Sequence, residues 1–266
     1  MRIYGRLETF ESRDGLETIE LSPWDAEWDS SQDIQSGIAG VFGADFGQDL
    51  WGASPAPLDI ANERLRALVA NEDVDHVRNR LYEIGRGRLW VKLHDGSSRW
   101  AWARLEELPG FGLQPRDLDD VPLIIPFLRL SSWYGETQQE VTEHITGGSG
   151  SITVDTDGLA RTRNIEIEIE ARSADGYDDP EFENASTVES FWIDHTAAEG
   201  DVHRLNVLAF RLDEHESGAA WTEETQKLKL GGNQVSPMSL VAGLNVIEID
   251  NVQDADVTIR WYDAWR

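Results

Sequence analysis

The 266-residue chain contains no cysteine. Disulfides and thiolate-ligated metals are therefore excluded, and cysteine usage says nothing about redox compartment. Lysine is nearly missing: Lys92, Lys227 and Lys229 are the three among 23 basic residues, and the rest are arginine. No apolar run approaches the ~20 residues that a membrane-spanning helix needs, so membrane insertion is not expected. The first residues, MRIYGRLETFESRDG, are polar and charged and do not read as a signal peptide. The sequence also lacks a G-x-S-x-G elbow, a P-loop and a G-x-G-x-x-G turn. No catalytic residue, cofactor or resident metal is expected.

What is abundant is acid. Fifty Asp and Glu give a formal net charge of -27. A field of that sign repels phosphate backbones, so direct nucleic-acid binding is not expected. Eleven tryptophans and many β-branched residues argue for packed cores rather than disorder. Acidic excess with few lysines suits a protein of high-salt surroundings, where self-repulsion is screened within a few ångströms.

Period-two alternation dominates the pattern, and the expected fold class is mainly β. The expected organisation is two β-sandwich-type domains, residues 1–135 and 136–266. Two short strands, over 2–10 and 17–21, flank a turn at Arg13-Asp14-Gly15. Residues 22–57 then read as one long irregular stretch carrying Trp24, Trp28, Phe42, Phe46 and Trp51. A loop of that length is usually functional or disordered, and its aromatics disfavour disorder. It packs either on its own domain or, as an arm, on a neighbouring subunit. Residues 60–70 fit strand or helix. Residues 73–84 read as a helix with Asp73 as cap, Val74, Val77, Leu81 and Ile84 as an apolar stripe, and Gly85 as stop. A hairpin over 88–105 turns at His94-Asp95-Gly96-Ser97-Ser98 and carries Trp90, Trp100 and Trp102. The apolar run 121–130 holds Pro122 and Pro126 and is assigned to a sheet edge. Residues 146–151, TGGSGS, are linker-like, or else a hairpin loop just inside the second domain. Strands are expected beyond them at 152–154, 164–171, 188–193, 204–212 and 226–230. A final hairpin is expected from 246–249 and 255–262 around a polar connector at 250–254.

Candidate sites compete with plainer roles. Glu166, Glu168 and Glu170 could supply the carboxylate pair of a glycosidase, but alternation with Ile165, Ile167 and Ile169 reads as a solvated face over a core face. Asp155-Thr156-Asp157-Gly158, with Glu166 at the twelfth position, has the outline of a calcium loop. Ala160 stands where an EF-hand needs glycine, so a turn is expected. His195, His203 and His215 match no zinc spacing. Asn184-Ala185-Ser186 is a glycosylation sequon. Trp192 or Trp221 could stack on a sugar.

The chain end resembles that of distal tail proteins of long-tailed viruses. The residues are Gly243, Asn245 and Ile247, then Ala255, Val257, Thr258, Ile259, Trp261 and Trp265. The first half is similar to their ring domain at Gly87, Leu89, Trp90, Asp95, Gly96, Arg99, Trp100, Ala101, Ala103, Arg104 and Leu105, and at Phe127, Trp133, Tyr134 and Gly135. Residues before 57 do not match. The resemblance implies a tail-tube-like ring domain with one helix, followed by a galectin-like domain. It implies a virion tail-tip component in a salt-loving host that forms a homo-oligomeric ring, commonly a hexamer. Its partners would be the tail tube protein and the hub or fibre proteins, with a host glycan as a further candidate ligand. Trp24, Trp28, Phe42, Phe46 and Trp51 would then be subunit-interface candidates. The alternatives are a carbohydrate-binding module and, third, a glycoside hydrolase.

Overall fold

The computed structural model describes residues 5–21, 27–31, 61–70, 73–106, 110–111, 120–232, 234 and 236–265. The chain is mainly β. Its described residues divide into two compact units, one within 5–31 and 61–136 and a second from 137 to 265.

Unit 1 begins with β1 (Gly5–Ser12), β2 (Thr18–Glu20), β3 (Glu27–Ser31) and β4 (Ala61–Ala70). Helix α1 (Val74–Ile84) follows, then β5 (Arg86–Leu93), β6 (Ser98–Leu105), β7 (Gly110–Phe111), β8 (Asp120–Arg129) and β9 (Trp133–Gly135). The sheet runs β2-β1-β5-β6-β8-β4-β3, with β7 beside β8 and β9 beside β6. Residues 61–70 are strand, not helix: Glu63, Leu65 and Val69 share the buried face, and ten residues pair with β8. The stretch expected to be irregular contains β3, which pairs along β4.

Helix α1 buries Val74, Val77, Leu81 and Ile84, as its 3.6-residue spacing dictates. Gly85, at φ 56°, ends it with its N–H on the Leu81 carbonyl. Asp73 occupies the cap position but makes no side-chain cap bond, which corrects that part of the expectation. In β1, Leu7 and Phe10 are both buried although three residues apart. A register shift between Leu7 and Thr9 reverses the alternation there.

The proline-bearing strand β8 is internal, against its assignment to an edge. It pairs β4 over its whole length but β6 over three residues only. In an antiparallel strand the N–H and C=O of one residue point the same way. The Pro126 carbonyl accepts from Glu106 N–H at 2.9 Å, on the β6 side. The nitrogens of Pro126 and Pro122, four residues apart, therefore face the side of β6 and β7, whose registers include neither proline, and the β4 ladder loses no donor.

Unit 2 carries β10 (Gln139–Thr156), β11 (Ile165–Ala171), β12 (Tyr177–Asn184), β13 (Glu189–Ile193), β14 (Thr196–Ala197), β15 (Val202–Asn206), β16 (Arg211–His215), β17 (Thr222–Glu223), β18 (Leu228–Leu230) and β19 (Gly243–Trp261). The order is β17-β16-β15-β11-β19-β12-β13-β18, with β10 along the other edge of β19. The expected terminal hairpin does not form. Residues 243–261 are one strand, whose first half pairs β12 and whose second half pairs β11. The polar residues 250–254 hold the bend between these halves. There Asn251 takes φ 62°, and the register against β10 shifts between Gly148 and Ser149. The linker-like residues 146–151 are the other side of that bend, inside β10. Gly147 and Gly148 have φ of 77° and 102°, which an L side chain would resist. The core face keeps the same parity on both sides of the bend, with Ile247 and Ile249 before it and Ala255, Val257, Ile259 and Trp261 after it; only Val252, inside the bend, is out of step. Residues 204–212, expected as one strand, are instead two strands and a turn: β15 and β16, with Phe210 at φ 50° between them.

Candidate functional site

Of the interface candidates, Trp24, Phe42, Phe46 and Trp51 lie outside the described residues. Trp28 falls on β3, with its backbone opposite Leu65.

The three glutamates of β11 form a charge ladder on the face away from the core. Arg260 Nη1 reaches Glu166 at 2.8 Å, Arg204 Nη2 reaches Glu168 at 2.7 Å, and Arg172 Nη1 reaches Glu170 at 2.7 Å. Burial pushes the Glu168 carboxyl up, but hydrogen bonds and charge from Arg204, then Arg260, outweigh it and hold the group below its usual range. A glycosidase acid needs the opposite shift. Because the folded value is depressed, the ladder's contribution is present above the unfolded carboxylate range and is lost as pH falls through the folded value. We expect wild-type protein to lose stability between pH 5 and pH 3 (roughly the carboxylate range), and Arg260→Leu to lose less over that interval. Urea midpoints at both pH values check this, and equal losses would refute it. Glu166, held by Arg260, is also spent for the calcium-loop reading.

Two other candidates are structural. Asn184 is fully buried and donates from Nδ2 to the Ser239 carbonyl at 2.7 Å, so the sequon amide is engaged inside the fold. Trp221 is exposed, but the Arg204 guanidinium lies 4.5 Å from its ring centroid and His215 sits 5.2 Å away. One stacking face is thus already covered. Trp192 is half-buried on β13.

The histidines divide. His215 stays beside Trp221, whereas His195 and His203 come together with Glu214. His203 and Glu214 are direct cross-strand partners on β15 and β16, two residues on from the buried pair Leu205 and Leu212. Alternation therefore points both inward. His195 follows β13, fixed by its N–H on the Ile193 carbonyl and by its own carbonyl, which accepts from Asp179 N–H. Glu214 Oε1 lies 3.1 Å from His195 Nε2 and 3.4 Å from His203 Nε2. Lys227 Nζ donates to Glu214 Oε2 at 2.5 Å and lies 3.3 Å from His195 Nδ1. The Tyr177 hydroxyl is 2.7 Å from His203 Nδ1. Burial lowers His203 to about 4, although the Glu214 charge pulls the other way, so this imidazole is neutral at pH 7. Burial, then Asp201 and Glu214, raises the Tyr177 hydroxyl. The arrangement can hold a proton pattern or a cation among three nitrogen and oxygen donors. Reading 204–212 as one strand hid it; the signal was His203 and Glu214 at core-facing positions of a hairpin.

No family model matches the chain, and no curated protein matches it. Among solved structures, a fructosyltransferase from A. japonicus is 8% identical at a TM-score of 0.19, over 79% of this chain and 42% of that one. The chain thus spans less than half that protein's length, and likeness at this level carries no argument.

Proposed function

We propose that the protein is a structural component of a viral tail tip, assembling into a closed ring through its first unit, with the second unit a galectin-like module. The observation that supports this is the place of the resembling residues in each unit. Asn245 is buried, with Oδ1 accepting from Val241 N–H at 2.9 Å and Nδ2 donating to the Val241 and Gly243 carbonyls. It closes the turn at Gly243, φ 83°, that starts β19. In unit 1, Gly87 lies where a Cβ would meet Glu11 backbone, and Gly96 turns the hairpin at φ 85°. Trp100 packs 4.9 Å from Tyr134 between ring centroids. These residues serve the fold, as they would in a protein whose work is assembly geometry. The carbohydrate-module alternative would draw on Trp221, whose ring is half taken by Arg204.

In this reading the aromatic segment 22–57 supplies an intersubunit arm on either side of β3, whose own backbone pairs with β4. Burying one tryptophan against a neighbour contributes roughly 2–3 kcal/mol, repeated at every interface of a ring. We expect the isolated protein in molar salt to give a closed oligomer by light scattering. Trp24→Ala with Trp28→Ala should give folded monomers by circular dichroism. A monomeric wild type would overturn the ring. Wild-type rings from the double variant would overturn the arm, and so would loss of its fold.

A further inference from the structure

We propose that His195, His203 and Glu214 are the ligands of a zinc-class divalent transition-metal ion in unit 2, bound by the two Nε2 atoms and Oε1. Two imidazoles and one carboxylate are a donor set suited to such ions, with the fourth position left to water.

Four observations carry this. First, the three donor atoms lie within 4.8 Å of one another on three separate segments. Bonds of about 2.1 Å at tetrahedral angles place ligand atoms about 3.4 Å apart, and the two separations from Oε1 are 3.1 and 3.4 Å. Second, His203 Nε2 and Glu214 Oε1 are buried and make no hydrogen bond, though they face each other. Buried polar atoms are rarely left so. Third, the outer contacts suit ligation. Tyr177 can accept from His203 Nδ1–H, which turns the Nε2 lone pair inward, and Lys227 holds the other carboxylate oxygen. Fourth, the cluster itself balances one carboxylate against one ammonium, within a chain of net charge -27 that attracts cations. In the ion-free geometry Lys227 Nζ donates towards His195 Nδ1; ion uptake at Nε2 moves the ring proton to Nδ1, so Lys227 must turn away from His195 and keep Glu214 alone as its acceptor. The competing arrangement has both Nε2 atoms protonated and donating to Oε1, with no affinity for an ion.

The test uses the full chain, freed of metal by chelation and titrated with Co²⁺. We expect saturation at one equivalent, with the visible bands of a four-coordinate ion displaced by Zn²⁺. Zn²⁺ should also raise the thermal midpoint. His195→Gln, on a loop and partly exposed, should keep the circular dichroism spectrum and weaken binding by more than the 10–100-fold typical of an outer-contact loss. Glu214→Gln should do the same, and if it unfolds His195→Gln decides alone. Faint octahedral absorption only, no saturable uptake, or unchanged affinity in His195→Gln would each overturn the site.

Discussion

Arg129→Met is expected to destabilise the protein by about 3–5 kcal/mol, the usual consequence of removing one partner of a buried charge pair. Arg129 and Glu63 are 1% and 0% exposed, and Nε meets Oε1 at 3.0 Å. Arg129 extends the core face of β8 beyond Leu123, Ile125 and Phe127. Ala61 is its direct partner on β4, so Glu63 is the diagonal neighbour and within side-chain reach. The guanidinium also donates to the Ser131 carbonyl at 2.5 Å and lies 5.4 Å from the Trp133 ring centroid. Glu63→Met should cost a similar amount, since it buries an unpaired guanidinium. Replacing both with methionine should cost less than either single change, because no charge remains to desolvate. What is left is the lost contact with Ser131 and Trp133. Urea midpoints of the four proteins decide the matter; a double variant whose loss equals the sum of the singles would mean the two groups do not interact.

This pair also marks where the sequence stops being legible. The period-two runs named most of the core correctly: Ile165, Ile167 and Ile169 are buried, as are Ile247, Ile249, Val257 and Ile259. Helix α1 could be read from four apolar positions and a glycine. What misled was polarity taken as interruption. Residues 146–151 and 250–254 look like a linker and a loop, yet they are the two sides of one bend in a continuous ribbon, each strand supplying the other's hydrogen bonds. Single-strand patterns cannot reveal that pairing. Nor can they reveal inward-facing charge: Glu63, Arg129, His203 and Glu214 all break the apolar alternation and all sit on core faces. Residues 177–184, YDDPEFEN, show no strand alternation in their polar pattern, although β12 buries Tyr177, Phe182 and Asn184 there. Of the candidate metal ligands His195 and His203 stand out in the sequence and Glu214 does not, because its meeting with them depends on the β15–β16 turn inside residues 204–212.

Among the described glycines of unit 1, Gly87→Ala should be the most damaging change to alanine. Gly87 pairs with Ser12 where β5 meets β1. A Cβ there would stand 1.8 Å from the Glu11 carbonyl oxygen, 2.7 Å from its carbon and 3.2 Å from Ser12 Cα. All three are backbone, so no rotamer change relieves the clash, and the strands must separate. Separation strains the contacts that Glu11 makes along this edge, with Arg88 Nη2 at 2.9 Å and Trp90 Nε1 at 3.0 Å. The expected loss is about 3 kcal/mol, the upper end for overpacking. Gly96→Ala provides the contrast. Gly96 has open space around its missing Cβ, but its φ is +85°. Its cost is therefore conformational only, about 1–2 kcal/mol for an L residue held in the left-handed region. Thermal and urea unfolding should rank the proteins wild type, Gly96→Ala, Gly87→Ala in falling stability. The reverse order of the two variants would show that β1 and β5 are not packed against each other as closely as this register requires.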